Sequence, residues 1–381
     1  MKCCSGQEAT AGRTSCRELF DLLQRGNHPV HAILKLRMNN LHITLANPID
    51  QARMDEMSGV AGKGPVLILT HDNPDPDALA SGKALSFLLK EAWDIPSRLI
   101  YSGLVARAEN QAMLNHLTPE WEYSEKLPDL KEYSAVAQVD TQPGAGNNRL
   151  NTVQPAHIVI DHHHPVREMM DGISYADVRT DIGATVTMLY QYLDVAQLQP
   201  DPFLATAMFY GLKTDTRGLS RGASPADEVA FMRLLHRLDQ RELSKVELAS
   251  LSPEYFRSFD RGLNATRIHG QAVISQLGSM EQPDFAAEMA DILIRLHGTK
   301  AALCLGHHNE TLHVSLRTAF GQDAGLIIQK VILPPGKAGG HGTMAGGQIP
   351  LAGQEIEPLL DFIVSRFLNI MGETDQGEEL L

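Results

Sequence analysis

The sequence is poor in cysteine and has no long apolar run. Its four cysteines are Cys3, Cys4, Cys16 and Cys304, and their spacing fits neither a disulfide framework nor a thiolate metal site. No apolar segment of the signal-peptide type follows Met1. No run approaches the roughly 20 apolar residues that a membrane-spanning helix needs. We therefore expect a protein of the reducing cytoplasm without a membrane anchor.

Positive charge is also scarce. The chain has 33 Lys and Arg against 46 Asp and Glu, which gives a net charge of −13. Proteins that coat long nucleic acid depend on many cationic contacts with phosphates, so this balance argues against that class. Short RNA or small nucleotides, held by a few local cations, stay compatible with it. With 381 residues, of which 43% are hydrophobic, the chain can bury two cores and carry an extension.

Strand-like and helix-like segments alternate from about residue 63 to 245. This pattern is typical of an α/β fold with a doubly wound, mostly parallel sheet. Helices are predicted at 78–91, 182–194, 202–213 and 226–239. A second, smaller α/β domain follows, with strands at 271–275, 300–305 and 311–317 and helices at 285–297, 324–332 and 355–370.

Four regions are predicted from this pattern. Residues 1–60 form an N-terminal extension, partly disordered and partly helical, with short amphipathic stretches at 18–23 and 31–36. An α/β domain spans 61–245, a polar linker 246–258 and the smaller α/β domain 259–375. The extension fits packing or a homodimer contact better than a separate activity.

Histidines and aspartates follow three strand-like runs, at 66–70, 135–139 and 157–160. In an open parallel sheet the ligand crevice lies outside the carboxyl ends of the strands, so these side chains can converge. One more aspartate follows the apolar helix at 202–213. The full set is His71, Asp75, Asp77, Asp140, Asp161, His162, His163 and Asp215.

Imidazole and carboxylate donors without thiolate suit Mn²⁺ best, with Mg²⁺, Co²⁺ and Zn²⁺ as alternatives. Two such ions about 3.5–4 Å apart clamp a phosphoryl group and activate a water, which indicates hydrolysis of a phosphate ester or anhydride. Each piece alone has a structural alternative: Asp77 could cap the following helix, and Asp140 with Thr141 could be a turn. Their joint occurrence at successive strand ends favours a site.

The same residues resemble a known family. The series from His71 through Asp140 and the Asp161-His162-His163 triplet to Asp215 is similar to the four motifs of the DHH phosphoesterases. The later segment 339–347 resembles the GGH motif of their companion DHHA1 domain. Their pairing at this separation resembles the branch of nanoRNases and of phosphatases for 3′-phosphoadenosine 5′-phosphate (pAp). The resemblance covers roughly residues 60–372.

Roles follow from the resemblance. It implies that Asp140 bridges two metal ions and that six residues are metal ligands: His71, Asp75, Asp77, Asp140, His162 and Asp215. It implies that Asp161 orients a neighbouring histidine. It also implies that His163 faces the substrate phosphate, as an acid for the leaving oxygen or as a hydrogen-bond donor.

Further candidates lie in the second domain. Gly339, Gly340 and His341 suggest a loop whose backbone amides approach an anion closely, and Arg317 ends a predicted strand. A tight turn and a surface salt bridge are the alternatives. The resemblance makes all four candidates for gripping the nucleotide that is not cleaved, and Arg217 and Arg221 are weaker ones.

The expected function is a two-metal, Mn²⁺-dependent phosphoesterase acting on short oligoribonucleotides or pAp-like nucleotides. A cyclic or linear dinucleotide phosphodiesterase, an exopolyphosphatase and an inorganic pyrophosphatase are alternatives of the same class. The pyrophosphatase is disfavoured because the second domain has the GGH segment and lacks a Ser-Arg-Lys cluster. A non-catalytic nucleotide sensor is the alternative of another class.

Overall fold

A computed structural model describes residues 49–150, 156–168, 172–319 and 321–381. The amphipathic stretches predicted at 18–23 and 31–36, with most of the predicted extension, lie outside these residues. Within 51–381 the chain forms two sheets, each covered by helices. The predicted domain boundaries and homodimer remain predictions.

The first sheet has six strands, all parallel, in the order β3-β2-β1-β4-β5-β6. Its central strands β1, β4 and β5 are buried along their whole length, as a parallel sheet covered on both faces requires. The strands are β1 Val66–Leu69, β2 Ser97–Tyr101, β3 Trp121–Tyr123, β4 Ala135–Val139, β5 Ile158–Asp161 and β6 Tyr175–Val178.

Helices cover this sheet and extend the chain toward the second one. They are α1 Gln51–Ala61, α2 Pro76–Trp93, α3 Ala108–His116, α4 Thr185–Val195, α5 Pro202–Asp215, α6 Pro225–Leu235, α7 Gln240–Glu247 and α8 Pro253–Asn264. The four predicted helices correspond to α2, α4, α5 and α6. The last prediction ran too far, because Asp239 caps α7 with its side chain and the chain has to turn before it.

The second sheet has seven strands in the order β11-β12-β10-β9-β8-β7-β13 and is mixed, with β8 and β9 parallel and the other pairs antiparallel. The strands are β7 Thr266–His269, β8 Ala272–Ser279, β9 Ala301–His308, β10 Thr311–Thr318, β11 Lys337–His341, β12 Met344–Pro350 and β13 Glu378–Glu379. Its helices are α9 Phe285–Leu293, α10 Ala324–Val331 and α11 Ile356–Met371.

Successive residues of the second sheet enter two separate cores, as the two-residue period of a strand requires. Val273 packs in the core on the α9 side, whereas its neighbour Ile274 packs with α10 and α11. Ala302 and Leu303 divide in the same way. The predicted fold class, a doubly wound sheet with a second α/β unit, is confirmed.

The loop predicted at Gly339, Gly340 and His341 is wrong. These residues belong to β11, which pairs antiparallel with β12 and places Gly340 opposite Ala345. Glycine is a poor strand former, so composition indicated a loop. Close packing explains the strand, because a Cβ on Gly340 would lie 2.4 Å from the Cα of Ala345.

Among the described residues, no helix has the length and apolar character that crossing a membrane requires.

Candidate metal centre

The predicted histidines and aspartates meet at one edge of the first sheet. His71 follows β1, Asp140 follows β4, and His162 follows β5, while Asp215 is the last residue of α5. In each of two sets of three side chains, the donor atoms all lie within 4.8 Å of one another. Asp140, His162 and His163 form a third such group. The first set is His71, Asp75 and Asp140; the second is Asp77, His162 and Asp215.

Asp140 lies between the two sets. Its Oδ2 is 3.5 Å from His71 Nε2, and its Oδ1 is 3.6 Å from His162 Nε2. The side chain is 1% exposed; Oδ1 accepts a hydrogen bond from Thr185, whereas Oδ2 has no hydrogen-bond partner within the described residues. A buried carboxylate oxygen without a partner is costly. A divalent cation would satisfy it, so the donor set fits a metal.

The backbone at Asp140 is also unusual. Its φ of 58° lies in the left-handed region, which non-glycine residues seldom adopt. Aspartate tolerates this region better than most residues, and such conformations concentrate at functional sites.

The helix cap that the structural alternative gave to Asp77 belongs to Asp75. Asp75 caps α2, because its Oδ1 accepts the N–H of Ala78 at 3.0 Å. Asp77 instead accepts the N–H groups of Thr185 and Val186, at 2.7 and 2.9 Å, and so holds the start of α4. A carboxylate has about four lone-pair sites, so both aspartates keep capacity for a cation.

Both candidate histidine ligands present Nε2 to the aspartates. His162 Nδ1 lies 3.2 Å from the carbonyl oxygen of Ile182, and its Nε2 lies 3.1 Å from Asp215 Oδ2. His71 is held in the same way by the Asp72 carbonyl. A backbone carbonyl on Nδ1 selects the tautomer that leaves Nε2 free for a metal.

One residue that the sequence did not indicate supports this arrangement. Asp227, buried near the start of α6, accepts the N–H of Gly183 at 2.8 Å and a hydrogen bond from Thr187. It thereby fixes the loop that carries the Ile182 carbonyl. Its position in a capping box before an apolar run indicates that a helix starts there. That local pattern does not indicate a contact with residues far away in the sequence.

His163 is oriented by buried Asp161, whose Oδ1 lies 2.9 Å from His163 Nδ1. Burial raises the pKa of Asp161, but the hydrogen bonds from His163 and Gln142 and the charges of the two histidines together lower it below its ordinary value. Burial lowers the pKa of His163, but the negative charge of Asp140 and the bond to Asp161 raise it overall. Gln142, which the sequence did not indicate, donates to Asp161 Oδ2 at 2.6 Å and to the His163 carbonyl at 2.9 Å.

Crowded carboxylates control the ionisation of the remaining residues. Burial, together with the charges of Asp140 and Asp215, raises the pKa of Asp77 well above its ordinary value. Burial lowers the pKa of His71, but Asp140 and Asp75 raise it to about 9. The pKa of His162 is likewise raised well above its ordinary value, despite burial, by Asp215, Asp140 and Asp77. This site stabilises positive charge, which divalent cations would supply.

Comparison with known proteins identifies the family. Residues 65–212 match the model of the DHH family, N-terminal domain, and residues 269–369 match that of the DHHA1 domain. The chain belongs to the DHH family of phosphoesterases. Both domains implied by the sequence motifs are therefore confirmed.

Similar proteins span most of the chain. An uncharacterised protein of Methanocaldococcus jannaschii is 32% identical over 84% of this chain, which spans 65% of that protein's length. The bifunctional oligoribonuclease and PAP phosphatase NrnA of Thermus thermophilus is 28% identical over 82% of this chain and 91% of its own. The crystal structure of an exopolyphosphatase-related protein from Bacteroides fragilis covers 85% of this chain and 98% of its own, with 16% identity and a TM-score of 0.69, and shares the fold.

The residues predicted to grip substrate lie on the second sheet of this DHH-family chain. Arg317 is 7% exposed, and its guanidinium pairs with Asp291, with Nε 2.7 Å from Oδ1 and Nη2 3.3 Å from Oδ2. Gly339 lines a cleft of about 480 Å³ together with Arg167 and Lys337. Gly340 and His341 continue β11. The His341 side chain lies outside what the structure describes.

A larger cleft of about 850 Å³ runs from the donor sets toward the second sheet. His71, Asp75 and Asp215 line it, and so do the two weaker candidates, Arg217 and Arg221. Arg107, which the sequence did not single out, lines it as well.

Proposed function

We propose that the protein is a Mn²⁺-dependent phosphoesterase that hydrolyses short oligoribonucleotides and pAp-like nucleotides. The observation that carries this proposal is the pair of donor sets with Asp140 between them, at the end of a cleft of nucleotide size. In this proposal His71, Asp75 and Asp140 would hold one ion and Asp77, His162 and Asp215 the other, and Asp140, which lies between the two sets, would be shared.

Divalent ions at such a centre polarise the phosphate and lower the pKa of a bound water. The protein's own residues then have separate tasks. Asp161 orients His163, whose side chain is 43% exposed, so that its ring can give a proton to the leaving oxygen. The carbonyl of Ile182 keeps the His162 ring turned toward the aspartates. Mn²⁺ is proposed because the donors are carboxylates and imidazoles, without a thiolate among them.

The NrnA relative supports the substrate class, since its name gives both oligoribonuclease and PAP phosphatase activity. The test is a comparison of substrates with the purified full-length chain and Mn²⁺. We expect turnover of pAp and of RNAs of two to five nucleotides. Cyclic dinucleotides, polyphosphate and pyrophosphate should be poor substrates, and efficient turnover of one of these alone would overturn the proposal.

An Asp140→Asn variant tests the bridge. It should lose affinity for both ions and all detectable turnover, because an amide is a weaker ligand than a carboxylate. Asp129→Asn is the matched control, since Asp129 caps a distant single turn and asparagine caps equally well. Normal Mn²⁺ stoichiometry and activity in Asp140→Asn would contradict the assignment.

A further inference from the structure

One short segment, residues 182–187 at the start of α4, contacts candidate ligands of both donor sets. Two of its backbone N–H groups donate to Asp77, at 2.7 and 2.9 Å. One of its hydroxyls donates to Asp140 Oδ1 at 2.8 Å, and one of its carbonyl oxygens lies 3.2 Å from His162 Nδ1. The position of this segment therefore determines how three candidate ligands are turned.

The local sequence gives this segment no cap of its own. Ala184 occupies the position before the first residue of α4, and its methyl side chain cannot accept the free N–H groups of the first turn. The residue before it, Gly183, is the type with the most backbone freedom. Contacts from another part of the chain must therefore hold the segment where it lies.

Asp227 of α6 makes these contacts. It is fully buried, and its carboxylate accepts four hydrogen bonds. The Gly183 N–H donates to Oδ2 at 2.8 Å, and the Thr187 hydroxyl donates to Oδ1 at 2.5 Å. The N–H and the hydroxyl of Ser224 both donate to Oδ2, each at 2.6 Å. A capping box needs only the bond from the N-cap N–H, so capping of α6 does not explain the two bonds to the segment.

Close packing sets the distance between the segment and Asp227. A Cβ on Gly183 would lie 2.9 Å from Asp227 Oδ2 and 2.8 Å from the side chain of Thr216, so only glycine can approach this closely. Thr216 directly follows the candidate ligand Asp215, and the same contact therefore reaches the end of α5. Because Asp227 is buried, separating it from its donors would leave acceptors unpaired, which is costly.

We propose that Asp227 is a positioning residue of the metal centre. Through Gly183 and Thr187 it holds segment 182–187 in place, and the segment in turn orients ligands of both donor sets. Asp227 does not itself belong to either set. The inference rests on the proposed function, because it concerns the same centre. Partners that orient metal ligands from outside usually change metal affinity by about 10–100-fold when they are removed.

The Mn²⁺ affinities of two variants separate positioning from helix capping. Asp227→Ala removes the acceptor of all four bonds, whereas Ser224→Ala removes the serine cap of α6 and leaves both bonds to the segment in place. Calorimetric titration of the full chain should show at least about 10-fold weaker Mn²⁺ binding for Asp227→Ala and less than about a 3-fold change for Ser224→Ala. Equal losses in the two variants, or wild-type affinity in Asp227→Ala, overturn the inference.

Amide hydrogen exchange in EDTA gives a readout that needs neither metal nor turnover. The amides of Thr185 and Val186 donate to Asp77 and so report whether the segment stays in place. They should exchange at least about 10-fold faster in Asp227→Ala than in Ser224→Ala, because local opening controls their exchange. Equal exchange rates in the two variants overturn the inference.

A milder pair of variants at Thr187 keeps the test decisive even if Asp227→Ala does not fold. Thr187→Val removes the hydroxyl that donates to Asp227, whereas Thr187→Ser keeps it. Mn²⁺ should bind about 3-fold or more weakly to the valine variant than to the serine variant, because a buried acceptor loses its donor. Equal affinities overturn the inference. A wild-type chain that binds no Mn²⁺ overturns the proposed function as well, whereas wild-type binding that these variants leave intact overturns this inference alone.

Discussion

At the scale of single residues, two adjacent histidines face different partners. His162 Nε2 lies against Asp215, whereas His163 Nδ1 lies against Asp161, which is buried beneath the donor sets. The successive side chains of extended backbone point in different directions, so neighbours in sequence can serve different purposes. One of them is placed to hold metal and the other to meet substrate.

Replacing each histidine with alanine separates these roles. His163→Ala should lower kcat by about 10²–10⁴-fold while bound Mn²⁺ persists, because a proton donor acts on the transition state. His162→Ala should lose Mn²⁺ from one set, because it removes a donor atom. Metal content per chain and single-turnover rates measure the two effects. Indistinguishable metal content in the two variants would show that the roles are misassigned.

Sequence reasoning found the eight residues at the centre because each follows an apolar run, which is a local signal. It could not find Gln142 or Asp227, whose hydrogen bonds reach 19 and 44 residues along the chain. It also gave the helix-capping alternative to Asp77, whereas the contacts give that role to Asp75. Asp77 instead caps α4, more than 100 residues further along the chain, and no local sequence pattern could predict that contact.

At the scale of elements, α2 and α5 cross closely beside the candidate metal centre. A Cβ on Gly211 of α5 would lie 2.9 Å from the Pro76 carbonyl oxygen and 3.1 Å from the Asp77 Cα. Both are backbone atoms, which cannot turn aside as a flexible side chain could. Glycine at this position therefore lets α5 bring Asp215 to the donor set that contains Asp77.

Gly211→Ala should push the two helices apart. We expect about a 10-fold or greater loss of Mn²⁺ affinity and a lower melting temperature, because overpacking usually costs about 1–3 kcal/mol. The control is Gly59→Ala in α1, where a Cβ meets nothing within 4 Å and alanine favours the helix by about 1 kcal/mol. Unchanged metal affinity in Gly211→Ala would show that the crossing can relax without moving the ligands.

Most helices and central strands were predictable, because the pattern of apolar and polar residues within a short stretch of sequence indicates both burial and periodicity. The strand β11 was not predictable, since Gly340 is required there by close backbone packing against Gly325 and Ala345. The sequence also could not predict that Asp291 pairs with Arg107, Arg217 and Arg317, because these pairs depend on how α9, β10 and two loops of the first part of the chain meet.

At the scale of the whole molecule, the cleft that leads to the donor sets carries acids along with its arginines. Glu109, Glu247, Asp284 and Glu288 all line it. An RNA strand trailing from the centre would bring more phosphates toward these carboxylates. The net charge of −13 offers little compensation on the remaining surface.

Activity on RNA should therefore fall steeply with length. Across 5′-phosphorylated RNAs of 2, 3, 5, 10 and 24 nucleotides, we expect kcat/KM to drop by about 10-fold or more between the shortest and the 10-mer. Rates measured at equal concentrations of strand ends provide the comparison, since they remove the trivial dilution of ends in long chains. Equal rates for the dinucleotide and the 24-mer would show that a trailing strand is accommodated.

Two ion pairs of Asp291 in α9 make the contacts across the cleft sensitive to ionic strength. Arg107 and Arg217 reach Asp291 from the opposite side of the cleft, with side chains 36% and 45% exposed. At physiological salt the screening length is about 8 Å, so added electrolyte weakens these exposed pairs. High salt should therefore loosen the contacts by which the first part of the chain holds α9.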